Sequence, residues 1–261
     1  MKRLCIAALL AGTSLGAHAL GRLADVSIID AASGAVLTPH YYQGEYWIAG
    51  APGARYSIEV RNRLGERMLA VTAVDGVNVI SGDTASWEQT GYVFGAGEGY
   101  RIDGWRKSDA EVAAFEFTAA PASYAARTGR PANVGVIGVA LFRERIAPPV
   151  LASESAPAGL AAPAAAPDSA GSAAAQESRD SAARPELRER LGTGHGPREY
   201  SYVAHTEFER LQPAPNEVIR IRYDSLANLI AMGVLPRPRA WPAPNPFPEA
   251  PLAHYAPDPP G

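Results

Sequence analysis

Residues 55–82 read RYSIEVRNRLGERMLAVTAVDGVNVISG, and the reading of this stretch decides the fold. Tyr56, Ile58 and Val60 alternate with Ser57, Glu59 and Arg61, which is the two-residue period of a strand with one buried face. Leu64-Gly65-Glu66 marks a tight turn, and Met68 to Val74 reads as a second strand returning beside the first. Asp75-Gly76 turns the chain again into Val77–Ile80. These strands and turns predict an antiparallel meander, and with it an all-β domain.

The flanking sequence continues the pattern. ADVSIID (24–30) alternates Val26 and Ile28 with Asp25 and Ser27, and Ala31–Gly34 turns it. HYYQGEYWIA (40–49) is an aromatic-rich strand with Gly44 at a bend or bulge. Thr90–Phe94 and Tyr100–Trp105 read as short strands on either side of a hairpin loop, Gly95–Gly99. Glu111–Thr118 follows, and NVGVIGVALF (133–142) is so continuously apolar that burial on both faces is expected. Short strands at regular spacing, with no amphipathic helix among them, predict a mainly β fold: an antiparallel β-sandwich over residues 20–146.

Residues 1–19 read as a signal peptide. Lys2 and Arg3 precede the apolar run Leu4–Leu10, and Ala17-His18-Ala19 is a small-x-small cleavage site. The mature chain is expected to start at Leu20, in the periplasm or outside the cell. Cys5 is the only cysteine, so the mature protein holds none and its core must stabilise it. No later stretch has the apolar length of a transmembrane helix. The formal net charge of −3 gives the chain no overall reason to bind nucleic acid or an anionic membrane.

Beyond the sandwich the composition shifts. Residues 147–184 are Ala, Pro, Ser and Gly with almost no large apolar side chain, which predicts a disordered linker. Residues 185–235 read as a small ββα module expected to dock on the β domain or on a partner. In it, Pro185–Leu191 is a short helix, Gly192–Gly196 a flexible loop, and Glu199–Phe208 and Glu217–Tyr223 two strands. Asp224 or Ser225 then caps a helix running through Met232. Residues 236–261 form a Pro-rich tail, predicted to be disordered.

Candidate chemistry is sparse. His195, His205 and Glu207 are the acid–base or metal candidates, with Glu199 and Glu209 nearby. A strand would put His205, Glu207 and Glu209 on one face, but the spacing matches no recognised ligand motif and the favoured reading is a solvated strand face beside a flexible loop. Gly192-x-Gly194-x-Gly196 has the glycines of a phosphate loop without its element order or its lysine. Asp75, Asp83 and Asp103 are the candidates for a carboxylate pair, but each adjoins a glycine, as turn residues do. No serine or cysteine nucleophile motif is present, so no catalytic residue and no cofactor is assigned. Tyr42, Tyr46, Trp47, Trp87 and Trp105 form a possible binding surface for a glycan or a protein; aromatics fill β cores equally well.

In YSIEVRNRLGERMLAVTAVDGVNVISG, GYRIDGWRKSDAEVAAFEF, GVIGVALFRE, the GTGHG loop and IRYDSLANLIAMGV, the chain resembles a family of exported β-sandwich proteins of proteobacteria. The resemblance covers both modules but neither linker nor tail. It implies export and a two-module layout, and brings no activity and no functional residue with it. The function expected from sequence is non-enzymatic binding of an envelope protein or other envelope component through the sandwich, with the C-terminal module as a tethered second contact. The alternatives are a metal- or carboxylate-dependent hydrolase of envelope material and a carbohydrate-binding module.

Overall fold

The computed structural model describes residues 19–145 and 189–237. In chain order the strands are β1 (Ala24–Asp30), β2 (His40–Tyr42), β3 (Glu45–Gly50), β4 (Arg55–Asn62), β5 (Met68–Val74) and β6 (Val77–Asn78). They continue as β7 (Tyr92–Phe94), β8 (Gly99–Ile102), β9 (Gly104–Arg106) and β10 (Glu111–Ala119). After the short helix α1 (Tyr124–Arg127) come β11 (Val136–Arg143), β12 (Leu191–Tyr200), β13 (Glu217–Ser225) and helix α2 (Leu226–Ala231). Two sheets result. The first runs β1-β4-β10-β12, with β8 on β4 and β9 on β10; the second runs β2-β3-β13-β11-β5-β6, with β7 on β5.

The sandwich predicted from strand spacing is therefore present. Its core lies between the sheets, where Tyr56 stacks against Phe115 and Phe117 at ring-centroid distances of 5.3 and 4.3 Å. Ile58, Ile137, Val139 and Leu141 are all closed off from solvent around them. The pairing is not purely antiparallel, because β13 runs parallel to β3. No helix among the described residues is long and apolar enough to cross a membrane.

The meander read from residues 55–82 is half right. β5 and β6 pair across the Asp75-Gly76 turn, but β4 and β5 lie in opposite sheets. Asn62 holds the crossover between them. Buried at the end of β4, it donates from its side-chain amide to the carbonyls of Glu66 and Gly95 (2.7 and 2.8 Å) and accepts from the Leu64 N–H (2.8 Å). Gly95–Gly99 is likewise a crossover, since β7 pairs β5 whereas β8 pairs β4.

The separate C-terminal module is not found. β12 extends the first sheet beside β10, and β13 inserts between β3 and β11 in the second. The reason is burial. Ile219, Ile221 and Tyr223 of β13 face the shared core, and a piece of this size has no core of its own to take them. The GTGHG stretch is strand rather than flexible loop. A Cβ on Gly192 would lie 2.6 Å from the Ser123 Cβ and 2.7 Å from the Val134 Cγ1, so this glycine is required by close packing. The strand predicted over Glu199–Phe208 stops at Tyr200, and the following residues form an irregular strap. α2 is as predicted, with the Ser225 hydroxyl accepting from the Asn228 N–H (3.2 Å) as its cap. The helix expected over 185–191 gives way to β12 at Leu191. Its earlier part, the linker 147–184, the signal peptide and the tail beyond Arg237 lie outside the described residues.

Candidate functional site

β12 is an edge strand, and the second sheet closes its edge with carboxylates in place of another strand. The Leu191 N–H donates to Asp224 Oδ1 (3.2 Å) and the Thr193 N–H to Asp75 Oδ2 (2.8 Å). Asp75 occupies the β5–β6 turn at φ +53°, ahead of Gly76 at φ +74°, the left-handed pair that a tight hairpin turn needs. Its Oδ1 also accepts from the Gly135 N–H (2.9 Å) and the Tyr223 hydroxyl (2.6 Å). The chain of bonds continues from the Tyr223 hydroxyl to the Thr193 hydroxyl and on to the Tyr56 hydroxyl, each step 2.7 Å. Burial raises the Asp75 pKa, against the pull of the Tyr223 hydroxyl and the backbone donors. Burial also raises those of Tyr56 and Tyr223 well above the ordinary phenol value, and the neighbouring Asp75 adds to this. Shut away from solvent and satisfied within itself, this network fastens one sheet to the other and offers no approach to a substrate.

The candidates read from the sequence are dispersed. His195 lies exposed on β12 with its ring 6.0 Å from that of Tyr124, and its pKa is lowered by partial burial and then by the positive charges of Lys107, Arg198 and Arg127. His205 meets Asp109, Nε2 to Oδ1 at 3.0 Å, on the exposed strap. Glu207 offers its backbone carbonyl to the Arg67 guanidinium (2.6 Å). Because the strap is not a strand, the shared face expected for His205, Glu207 and Glu209 does not form. Among the described residues no group of three or more His, Cys, Asp or Glu side chains gathers to hold a metal ion. Asp75 is in the core, Asp103 accepts from the Ser57 hydroxyl (2.7 Å), and Asp83 is exposed.

The aromatic surface also divides. Trp105 is a core residue, 1% exposed, with its indole N–H donating to the Gly194 carbonyl (3.2 Å), and so belongs to no binding surface. Tyr42 donates its hydroxyl to the Met232 carbonyl (3.2 Å). Tyr46 packs on Tyr41 at 5.1 Å, on the β2–β3 hairpin. Trp47 lies under the Arg222 guanidinium, which sits 5.6 Å from the indole and pairs with Glu45 at 2.6 Å. Trp87 is 48% exposed.

Two concavities stand out among the described residues. One, of about 480 Å³, lies between the strap and Tyr92, Tyr100, Arg101 and Arg106. Its central cation is already committed. Arg106 donates from Nε and Nη2 to the Tyr92 hydroxyl (3.3 and 3.2 Å), from Nη2 to the Ser201 hydroxyl (3.1 Å) and from Nη1 to the Ser201 carbonyl. This cleft is where the strap is anchored.

The other concavity is on the outer face of the second sheet. Leu69, Val71, Ala140 and Phe142 form a small apolar cluster there, capped by Val93 and the strap residue Phe208. The Arg210 guanidinium lies 4.3 Å from the Phe142 ring and donates to the Gln89 carbonyl (2.7 Å), pinning that cover. Beyond Phe208 no described residue continues the cover. A groove of about 480 Å³ opens there, with Ala73, Val136, Gly138 and Ala140 in its lining, Val218 and Arg220 on the β13 side and Trp87 on the other. A Cβ built on Gly138 meets nothing within 4 Å.

No protein-family model, curated protein or solved structure matches this chain. The groove therefore has to be read from its own chemistry. Among the described residues its lining includes no carboxylate and no histidine. It is suited to bind apolar side chains, with Arg220 as a rim charge that takes no carboxylate partner among the described residues. Sequence reasoning named Trp87 but missed the rest. The available signal was the small side chain at every second residue of β11, Gly138 and Ala140, opposite Ala73 on β5.

Proposed function

We propose that this is an exported, non-enzymatic protein that binds a partner protein of the cell envelope through the outer face of its second sheet. One observation carries the reading: Phe208 covers the apolar strip on that face, and among the described residues nothing covers the adjoining groove. Shallow apolar floors walled by an aromatic residue and edged by arginine suit protein contacts, where Trp and Arg supply much of the binding energy. The dispersal of His195, His205 and Glu207 speaks against the hydrolase alternative, and the burial of Trp105 against a broad glycan-stacking platform. Export rests on the leader-like residues 1–19. β12 and β13 are strands of the sandwich itself, so they form no tethered second contact.

The test is cross-linked capture from the native envelope fraction, using the mature chain and variants of matched stability. A partner retained by the mature chain and by Arg101→Ala, on the other sheet, but lost with Val218→Glu and Trp87→Ala, is the expected result. Equal retention by all four proteins would place binding elsewhere.

A further inference from the structure

The cleft beside the strap shares no lining residue with the outer groove, and its chemistry differs. Its floor is held in place. Tyr100 stacks on Phe94 at a ring-centroid distance of 4.0 Å and donates its hydroxyl to the Val93 carbonyl (2.8 Å). Tyr92 meets Tyr100 edge-on at 6.2 Å, and its hydroxyl accepts from Arg106. The opposite rim is the strap, tied down by the Ser201 N–H to the Ala110 carbonyl and the Val203 N–H to the Asp109 carbonyl, each 2.8 Å. A cavity of about 480 Å³ between two walls that are fixed in this way has the size and the pre-formed character of a small-molecule site.

The lining narrows the ligand. Val203 packs against the core, whereas Tyr202, between the two tied residues, is 68% exposed. Its ring makes no contact with another ring among the described residues. One Glu98 oxygen accepts from the Gly95 N–H (2.6 Å), and one Asp109 oxygen meets His205 Nε2 at 3.0 Å. The second oxygen of each carboxylate has no partner among the described residues. Arg101 and Arg106 stand against these two carboxylates in the lining, so no net charge selects an anion or a cation. An apolar ligand would strip water from the carboxylates without replacing it. An uncharged, polyhydroxylated ring fits all of this: its C–H face lies on an aromatic ring, and its hydroxyls donate to carboxylate oxygens that still have lone pairs to offer.

We propose that this cleft binds an uncharged saccharide, with the Tyr202 ring against a sugar face and Glu98 and Asp109 accepting from its hydroxyls. The strap is then one wall of a ligand site as well as the cover of the apolar cluster under Phe208. This site stands apart from the docking reading of the outer groove and does not depend on it.

Titration of the isotope-labelled mature chain with maltose, cellobiose and N,N′-diacetylchitobiose, followed by amide chemical shifts, tests it. Digalacturonate and the free-amine glucosamine dimer are the charged comparisons. Saturable shifts from at least one of the uncharged disaccharides, centred on residues 90–109 and 201–206, are the expected result. Its dissociation constant should rise about tenfold in Tyr202→Ala, which removes the ring, and about tenfold in Glu98→Gln, which removes the charge from the acceptor. It should not change in Tyr200→Ala, since Tyr200 is 80% exposed and lies outside the lining. Glutamine keeps an oxygen for the Gly95 N–H, and all three side chains are exposed, so the variants should show the parent's amide spectrum before sugar is added. The proposal is overturned by the absence of saturable shifts from every uncharged disaccharide, or by shifts centred elsewhere. Binding undiminished in Tyr202→Ala or in Glu98→Gln, an equal loss in Tyr200→Ala, or tighter binding of a charged disaccharide would overturn it as well.

Discussion

On the inner face of the second sheet, Val74, Ile137, Ile219 and Ile221 are buried against the opposite sheet, and Asp75 and Tyr223 beside them are satisfied by hydrogen bonds. On the outer face the same three strands present Val71, Ala73, Val136, Gly138, Ala140 and Val218, and among the described residues only the end under Phe208 is covered. The inner face is accounted for by folding: remove a group there and a buried donor or a cavity is left behind. The bare outer half is not accounted for in that way, because the strap that covers its neighbour stops short of it. Residues that fold the protein and residues kept for another purpose lie back to back on β5, β11 and β13.

That contrast gives graded expectations. The largest effect belongs to Asp75→Ala, which leaves the Thr193 and Gly135 N–H groups and the Tyr223 hydroxyl without their acceptor and puts alanine at φ +53°. Urea unfolding should show a loss of about 3–5 kcal/mol. A loss below ~1 kcal/mol would mean that the network is not the fastening between the sheets. Gly192→Ala comes next, since the added Cβ meets Ser123 and Val134 at 2.6 and 2.7 Å. Overpacking of that kind costs about 1–3 kcal/mol and should lower the thermal midpoint. Phe208→Ala should cost about 1–2 kcal/mol, because the side chain is only partly buried, and should raise binding of an apolar dye by lengthening the open groove.

The network also sets a pH dependence. Burial raises the pKa of Tyr56 and Tyr223, so the fold favours their neutral forms. A group whose folded pKa is raised contributes its stability fully below its ordinary value and loses it as pH climbs towards the raised one. The urea midpoint should therefore fall above about pH 10, and fall less steeply in Tyr223→Phe. A midpoint indifferent to pH in that range would contradict the closed network.

Most of the strands could be read from the sequence, because alternation in residues 24–30 and 55–62 reports local burial directly. Partnership was not legible. Leu64-Gly65-Glu66 has the look of a hairpin turn and is a crossover between sheets, held by the buried Asn62 amide. Gly192–Gly196 has the composition of a loop. It is strand because it pairs with β10, Gly192 opposite Thr118 and Gly194 opposite Glu116, and position 192 is glycine because Ser123 and Val134, far away along the chain, leave no room for a side chain. Asp75 is the turn residue that Asp75-Gly76 predicts. Its second role, closing the edge of β12, depends on Thr193, more than a hundred positions later. The groove was hidden by the same logic: an apolar run signals burial on both faces without saying whether anything covers the outer one.

The most direct test of the claim that the outer groove is surplus to folding is Gly138→Leu, measured for stability and for partner capture on one preparation. The new side chain projects into open space, so unfolding should stay within ~0.5 kcal/mol of the parent while capture is lost. Destabilisation of several kcal/mol would show that the groove belongs to the core after all, and capture undiminished at unchanged stability would show that the partner docks somewhere else.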